Sequence, residues 1–207
     1  GNLSLQDSIK SIISGYEAYY NRVKQYVLEK EPEYTSLVAD FDFERDDLTI
    51  WHHLTHTAQY EPGTVFQYNG FLYGGLSRVL ELRLKTSFAR IIEQRILEPC
   101  DMKHSAASQA VAIDSILSSL AQPYRYDSVQ QTFVASPYPN LDVNAGAGIV
   151  SNVVDLAKFD RAINQYRLIN AETQQAAWTN QETKNRTEIP YGLGWVVQER
   201  DDEKVVW

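Results

Sequence analysis

Leu54-Thr55-His56-Thr57-Ala58-Gln59-Tyr60-Glu61-Pro62-Gly63-Thr64-Val65-Phe66-Gln67-Tyr68-Asn69-Gly70 brings three short blocks into one stretch: Leu-Thr-His-Thr, Pro-Gly-Thr and Tyr-Asn-Gly. Each block alone is unspecific. Working outward, Leu3-Ser4-Leu5-Gln6-Asp7 lies upstream. Downstream come Leu97-Glu98-Pro99-Cys100-Asp101-Met102, Ala145-Gly146-Ala147-Gly148-Ile149-Val150-Ser151, Asp155-Leu156-Ala157-Lys158-Phe159 and Tyr191-Gly192-Leu193-Gly194-Trp195. The ordered set, from residue 3 to residue 195, carries the weight that no single block has.

Around the blocks, apolar periodicity reads mostly as helix. Residues 8–31 place Tyr16, Tyr19, Tyr20, Val23, Tyr26 and Val27 at spacings of three and four, with Glu17, Arg22, Lys24 and Lys30 between them, as in an amphipathic helix. Leu72, Leu76, Val79, Leu80 and Leu84 form a second stripe; Phe88, Ile91, Ile92 and Ile96 form a third, ended by Pro99. Ser151 reads as the N-cap of another helix, with Asp155 near its positive end and Leu156, Phe159, Ile163 and Tyr166 as its buried stripe. Only Tyr191 to Val197 and Val205 to Trp207 read as strands, with Asp201-Asp202-Glu203 as the turn between them.

Composition narrows the function classes. A chain of 207 residues, 43% hydrophobic and 22% charged, is long enough for one sizeable core or two small lobes. A formal charge of −8 disfavours nucleic acid or an anionic membrane as partner, because both would repel it at long range. No apolar run approaches the roughly 20 residues of a membrane-spanning helix, and no basic-then-apolar leader opens the chain. A single cysteine, Cys100, excludes an internal disulfide and a multi-thiolate zinc site. His52 and His56, four apart, invite a metal reading, but the residue after the first is His53 rather than the glutamate of a zinc-peptidase helix, so no metal is expected.

The ordered blocks resemble the class C β-lactamase and DD-peptidase-like family of penicillin-recognising serine hydrolases. The resemblance implies an α+β, β-lactamase/DD-peptidase-like fold: residues 1–190 as a mostly helical lobe, residues 17–31 as a helix inserted into it, and residues 191–207 as the first returning β-hairpin of an antiparallel sheet. It implies acyl-enzyme hydrolysis of an amide, lactam or ester carbonyl and no cofactor. Its partners would be a small-molecule or peptide substrate and the remainder of the same polypeptide, and the parent would be periplasmic or secreted. The resemblance also makes Cys100 a small buried hydrophobe rather than a reactive thiol.

The family nucleophile lies in a Ser-x-x-Lys motif one helix upstream of the Leu-Ser-Leu-x-Asp block, and no serine here has lysine three residues on. The Lys-Thr-Gly or His-x-Gly motif would follow Trp207; Lys85-Thr86-Ser87 matches it in letters only, at a junction between two helical stripes. The middle motif, Tyr-x-Asn, falls on Tyr68, whose hydroxyl would exchange a proton with nucleophile and leaving group. Anchored by Pro62-Gly63-Thr64 and Tyr73, the alignment puts Asn69 in the variable place and Gly70 where asparagine belongs. A one-residue deletion would instead match Asn69 to the family asparagine, with Gln67 in the tyrosine's place. The candidate catalytic residues are therefore Tyr68 and Asn69; a buried, structural Tyr68 is the competing reading. Gly146, Ala147 and Gly148 match the family's substrate-facing loop, and could equally be the turn before the Ser151 cap. Only Ala58 to Glu61 separate Thr57 from Pro62, where the family carries a long loop, so the cleft is expected to be open there or walled by the inserted helix. A non-catalytic binding or scaffolding relative is the alternative function.

Overall fold

A computed structural model describes residues 3–108, 114–138 and 142–207. They fall into two compact units, one of residues up to Phe88 together with Ile169–Trp207, the other Ala89–Leu168.

In the first unit, the helix expected over 8–31 is two helices. α1 spans Ile9–Ile12 and α2 spans Tyr16–Lys30, separated at Gly15, whose φ of 73° is left-handed and cannot continue a right-handed helix. The buried face of α2 is Tyr16, Tyr20 and Val27, while Tyr26 is half exposed and bonds Glu31 through its hydroxyl. Tyr20 packs its ring on Phe41 at 4.5 Å and donates its hydroxyl to the Val38 carbonyl at 2.9 Å, so a buried polar tip is satisfied. Pro32 opens a 3₁₀ turn, Pro32–Leu37, which starts the return. The N-terminal block pairs with the entry to the next helix: Ile9 N–H donates to Leu48 O, Ile50 N–H to Asp7 O and Trp51 N–H to Leu5 O.

α3 (Ile50–Leu54) is capped by the Thr49 side chain, which accepts from His52 N–H, while the His52 ring receives the Thr49 N–H in return. α4 (Gly70–Gly74) and α5 (Leu76–Leu84) follow; Leu72, Leu76 and Val79 are buried, and Leu84, expected inside, is 46% exposed because the stripe has rotated out by the last turn. Lys85 ends α5 in the left-handed region with φ 55°, so Lys85-Thr86-Ser87 is a helix terminus.

α6 (Phe88–Ile92) runs from the first unit into the second and continues as a π-helical turn over Glu93–Leu97. In the second unit, α7 spans Asp114–Leu117 and Cys100 is buried, its thiol pKa raised by that burial. A hairpin was not expected here: β1 (Tyr124–Asp127) pairs antiparallel with β2 (Thr132–Ala135), Tyr126 opposite Phe133. Its strands are exposed on nearly every residue, so no alternating buried face marked them. α8 (Val153–Asn164) is capped by Asn152, one residue after the expected Ser151. The stripe on α8 also differs: Ile163 and Ala162 are buried, whereas Leu156 and Tyr166 are more than half exposed.

Asp155 replaces that apolar stripe as the anchor of α8. It is fully buried and accepts from His104 N–H at 2.7 Å, Ser105 Oγ at 2.9 Å and Lys158 Nζ at 2.8 Å. Burial pushes its pKa up, but the Lys158, His104 and Ser105 hydrogen bonds together hold it below the ordinary carboxylate value.

Back in the first unit, α9 (Ala171–Ala177) is capped by Asn170. The chain ends in β3 (Val197–Arg200) and β4 (Glu203–Val206), joined by Asp201 and Asp202, both at positive φ as a two-residue hairpin turn requires. The strand expected from Tyr191 starts only at Val197. Residues 191–195 form a loop instead, with Gly192 N–H bonded to Trp195 O, Leu193 N–H to Ala177 O and Gly194 N–H to Leu54 O.

Removing the Asp155 carboxylate takes an acceptor from three donors, one of them an ammonium, although Lys158 Nζ keeps Asp101 O and Ser105 Oγ keeps Ser151 Oγ. Asp155→Ala is expected to lower unfolding free energy by roughly 3 kcal/mol in urea melts; a loss under about 0.5 kcal/mol would contradict the anchoring role.

Candidate active site

The site in the first unit is built on His56, which leaves α3 with a φ of 54° and turns its ring back into the protein. Gln67 N–H donates to His56 O at 2.8 Å, laying residues 66–69 beside it. Asn69 N–H donates to His56 Nδ1 at 3.0 Å, so Nδ1 carries the lone pair and Nε2 the proton, which points to the Tyr191 hydroxyl at 3.3 Å. Burial lowers the His56 pKa to about 4, and the ring is neutral. It sits among aromatic rings: Tyr68 at 4.4 Å, Tyr191 edge-on at 4.8 Å, Tyr73 stacked at 5.1 Å and Phe66 at 6.2 Å. Burial raises the phenol pKa of Tyr191 and of Tyr73, so both stay protonated hydrogen-bond donors at neutral pH.

Tyr68 and Asn69 diverge. Tyr68 lays its ring on His56 yet is 59% exposed, so it is not the buried structural tyrosine of the competing reading. Asn69, in extended backbone, points the other way and is 1% exposed. Its Oδ1 accepts from Leu72 N–H at 3.1 Å as the N-cap of α4; its Nδ2 donates to Leu37 O at 2.7 Å and Gln59 Oε1 at 3.1 Å. Gln59 in turn donates to Ser36 O and Ala39 O at 2.7 and 2.6 Å. The Asn69 amide is thus committed inside the protein. Gly70 opens α4, and a Cβ there would meet nothing within 4 Å.

Gly146, Ala147 and Gly148 belong to the other unit. Asn144 and Ala147 exchange backbone hydrogen bonds at 2.9 and 3.1 Å, and Gly146 N–H donates to Asn144 Oδ1, making a tight turn with Gly146 and Ala147 exposed. Gly148 has φ 115°, and a Cβ there would lie 2.6 Å from the Val143 Cα, so the turn admits only glycine. Val150 is then tied to Ala106 by two backbone bonds before the α8 cap.

The other histidines are occupied too. His53 Nδ1–H donates to Thr49 O and its Nε2 accepts from Tyr16 OH at 2.8 Å; His52 Nδ1 accepts from Thr49 N–H. Among the described residues, no group of three or more His, Cys, Asp or Glu is placed to hold a metal ion. Gln59, Tyr73 and Tyr191 were not singled out as site residues from the sequence, and His56 was weighed there only as a metal ligand and set aside. The local signal for Gln59 is weak, and Tyr191 lies 135 positions from His56.

Residues 13–207 match the profile of the Beta-lactamase family. This chain belongs to that family. Penicillin-binding protein 4* of Bacillus subtilis (strain 168) is 27% identical over 147 residues, which cover 67% of this chain and 33% of that protein. The octameric penicillin-binding protein homologue from Pyrococcus abyssi superposes with a TM-score of 0.71 at 18% identity, over 99% of this chain and 50% of that one. A D-stereospecific amidohydrolase from Streptomyces sp. gives 0.64 at 14% identity, over 99% of this chain and 66% of that one. The chain therefore has a β-lactamase/penicillin-binding-protein-like α+β fold and spans a third of the matched curated relative's length and half that of the Pyrococcus homologue.

All three buried imidazoles, His52, His53 and His56, have pKa values lowered from 6.5 to about 4, with burial the leading cause. A group whose folded pKa is depressed stabilises the fold fully above its unfolded pKa and loses that contribution as pH falls through the folded one. The urea midpoint of this β-lactamase-family chain is expected to drop as pH falls from about 6.5 to about 4. A flat profile over that window would contradict the neutral-histidine assignment.

Proposed function

We propose that this chain forms part of a serine hydrolase that opens amide, lactam or ester carbonyls through an acyl-enzyme, and is inert by itself. The attacking serine would be supplied by polypeptide outside these 207 residues, since none of the serines here has lysine three places on. In the proposed reaction that hydroxyl adds to the carbonyl carbon, and the tetrahedral adduct expels the leaving group as it takes up a proton. Water then hydrolyses the ester. Tyr68 is the proton-exchanging hydroxyl, and Asn69 fixes its segment. Family membership supports the reaction class. The observation that carries Tyr68 is its outward-facing, 59% exposed phenol on a ring fixed by hydrogen bonds at both nitrogens. A phenol exchanges protons near neutral pH only beside a cation that lowers its pKa, which a motif lysine arriving with the nucleophile would provide. The parent is placed outside the cytoplasm, periplasmic or secreted, by analogy with its penicillin-binding relative.

One observation favours a second reading, a non-catalytic binding or scaffolding protein: no side chain stands at position 70, and the Asn69 amide is already spent.

A fluorescent penicillin separates them. Intact-mass analysis of this chain should show no adduct, whereas a longer natural polypeptide carrying Ser-x-x-Lys upstream should be acylated, with Tyr68→Phe slowing acylation about 100-fold. A stoichiometric adduct on any serine of this chain would overturn the proposed truncation, and an upstream region without Ser-x-x-Lys would favour the scaffold.

A further inference from the structure

The β1–β2 hairpin is a two-stranded sheet, so among the described residues the outer edge of β1 has no neighbouring strand. Which backbone groups that edge presents follows from the register. Ser136 N–H donates to Pro123 O at 2.9 Å, and the Gln122 side-chain amide donates to Ser136 O at 2.8 Å, supplying the donor that proline lacks. Position 123 therefore bonds across to β2. Hydrogen-bonded pairs alternate along an antiparallel ladder, so Arg125, opposite Val134, and Asp127, opposite Thr132, bond across as well. Tyr124 and Tyr126 turn their N–H and C=O groups outward. Both side chains are more than half exposed, and Tyr126 packs edge-to-face on Phe133, itself 69% exposed, with ring centres 5.4 Å apart.

Natural sheets blunt such an edge with lysine, proline or a bulge, and residues 124–127 carry none of them. Tyr124-Arg125-Tyr126-Asp127 is instead complementary to itself. When two copies run antiparallel about a two-fold axis at Tyr126, each Tyr126 exchanges N–H and C=O bonds with the other, and Arg125 of each copy stands opposite Asp127 of the other. The phase agrees with the ladder: the central pair needs outward backbone at Tyr126, which the hairpin provides. The flanking Arg125–Asp127 pairs are then of the non-hydrogen-bonded kind, which brings side chains closest. Asp127 Oδ1 accepts from Val129 N–H and Gln130 N–H in the turn, which leaves Oδ2 for a guanidinium. Arg125 is exposed and makes no ion pair among the described residues.

We infer that the free edge of β1 is a self-association surface, on which a second copy of this chain adds its own β1 to form a four-stranded antiparallel sheet with the strands in the order β2, β1, β1, β2. The contact is small, so the dimer is weak, with a Kd on the order of 100 µM. Sedimentation equilibrium of this chain from about 10 µM to about 1 mM is expected to pass from monomer to dimer. NMR on a mixture of isotope-labelled and unlabelled copies should show an intermolecular Hα–Hα contact between Arg125 and Asp127, which within one strand stand about 6.6 Å apart. Tyr126→Pro removes the central donor while its outward N–H leaves the β1–β2 ladder intact, and should abolish association. Arg125→Glu sets like charges opposite each other and should weaken association about tenfold; being exposed, it should keep the parent's thermal midpoint, so it decides the matter if the proline variant fails to fold. A monomer throughout the concentration range, association unchanged in Arg125→Glu, or absence of the Arg125–Asp127 contact in the dimer would each overturn the inference. So would a Tyr126 amide protected from exchange in the monomer, of this chain or of a longer natural polypeptide, because other polypeptide would then already cover the edge.

Discussion

A buried primary amide has two donors and two acceptor lone pairs to satisfy, and Asn69 sits 1% exposed beside Tyr68. Its partners come from the N–H of α4, the carbonyl of Leu37 and the amide of Gln59. Leaving any of them unpaired costs about 1–3 kcal/mol, comparable to a sizeable fraction of a domain's net stability. Satisfying one side chain therefore locates three segments: the helix that starts at Gly70, the short connection through Gln59, and the 3₁₀ turn returning from α2. Because Asn69 is in extended backbone, Tyr68, the residue before it, faces the other way. The outward phenol follows from the inward amide.

His56 converts that orientation into a fixed position. Both ring nitrogens are used, one accepting from Asn69 N–H and the other donating toward Tyr191, and both bonds require the neutral Nε2–H tautomer. A protonated ring could not accept at Nδ1, so the desolvation that lowers its pKa and the hydrogen-bond pattern favour the same state. The Tyr68 and Tyr73 rings then lie against an uncharged, immobile imidazole. Polar satisfaction and aromatic packing here act on the same atoms, which is why the site tolerates an exposed tyrosine without a loose one.

The family and fold class could be read from the ordered blocks because each block encodes something local: a turn, a cap, a close approach. Helix positions could be read where one face is buried, as at Leu72, Leu76 and Val79. The reading failed where burial is not the cause of structure. β1 and β2 are exposed on both faces, so no period-two pattern marks them. α8 is anchored through a buried carboxylate, Asp155, and periodicity counts only apolar residues. The break at Gly15 lies inside a stripe whose spacing stays helical on both sides, because four-residue spacing survives a short interruption. Around Tyr68, the ring and amide that position it could not be read: His56 meets Tyr191 across 135 positions, and Asn69 meets Leu37 across 32.

The glycine at position 70 bears on catalysis without bearing on the fold. A Cβ built there meets nothing within 4 Å, so packing does not demand glycine, and an asparagine could stand there pointing into open space. On the proposed hydrolase reading, what the chain would forgo is an amide holding a substrate carbonyl or N–H in ground and transition states alike, worth about 1 kcal/mol net. Losing uniform binding of that kind weakens KM and leaves the chemical step largely intact, whereas losing the tyrosine hydroxyl would strike the step itself. On the proposed reaction, the departure from Tyr-x-Asn would weaken the hold on substrate more than it would slow the chemical step.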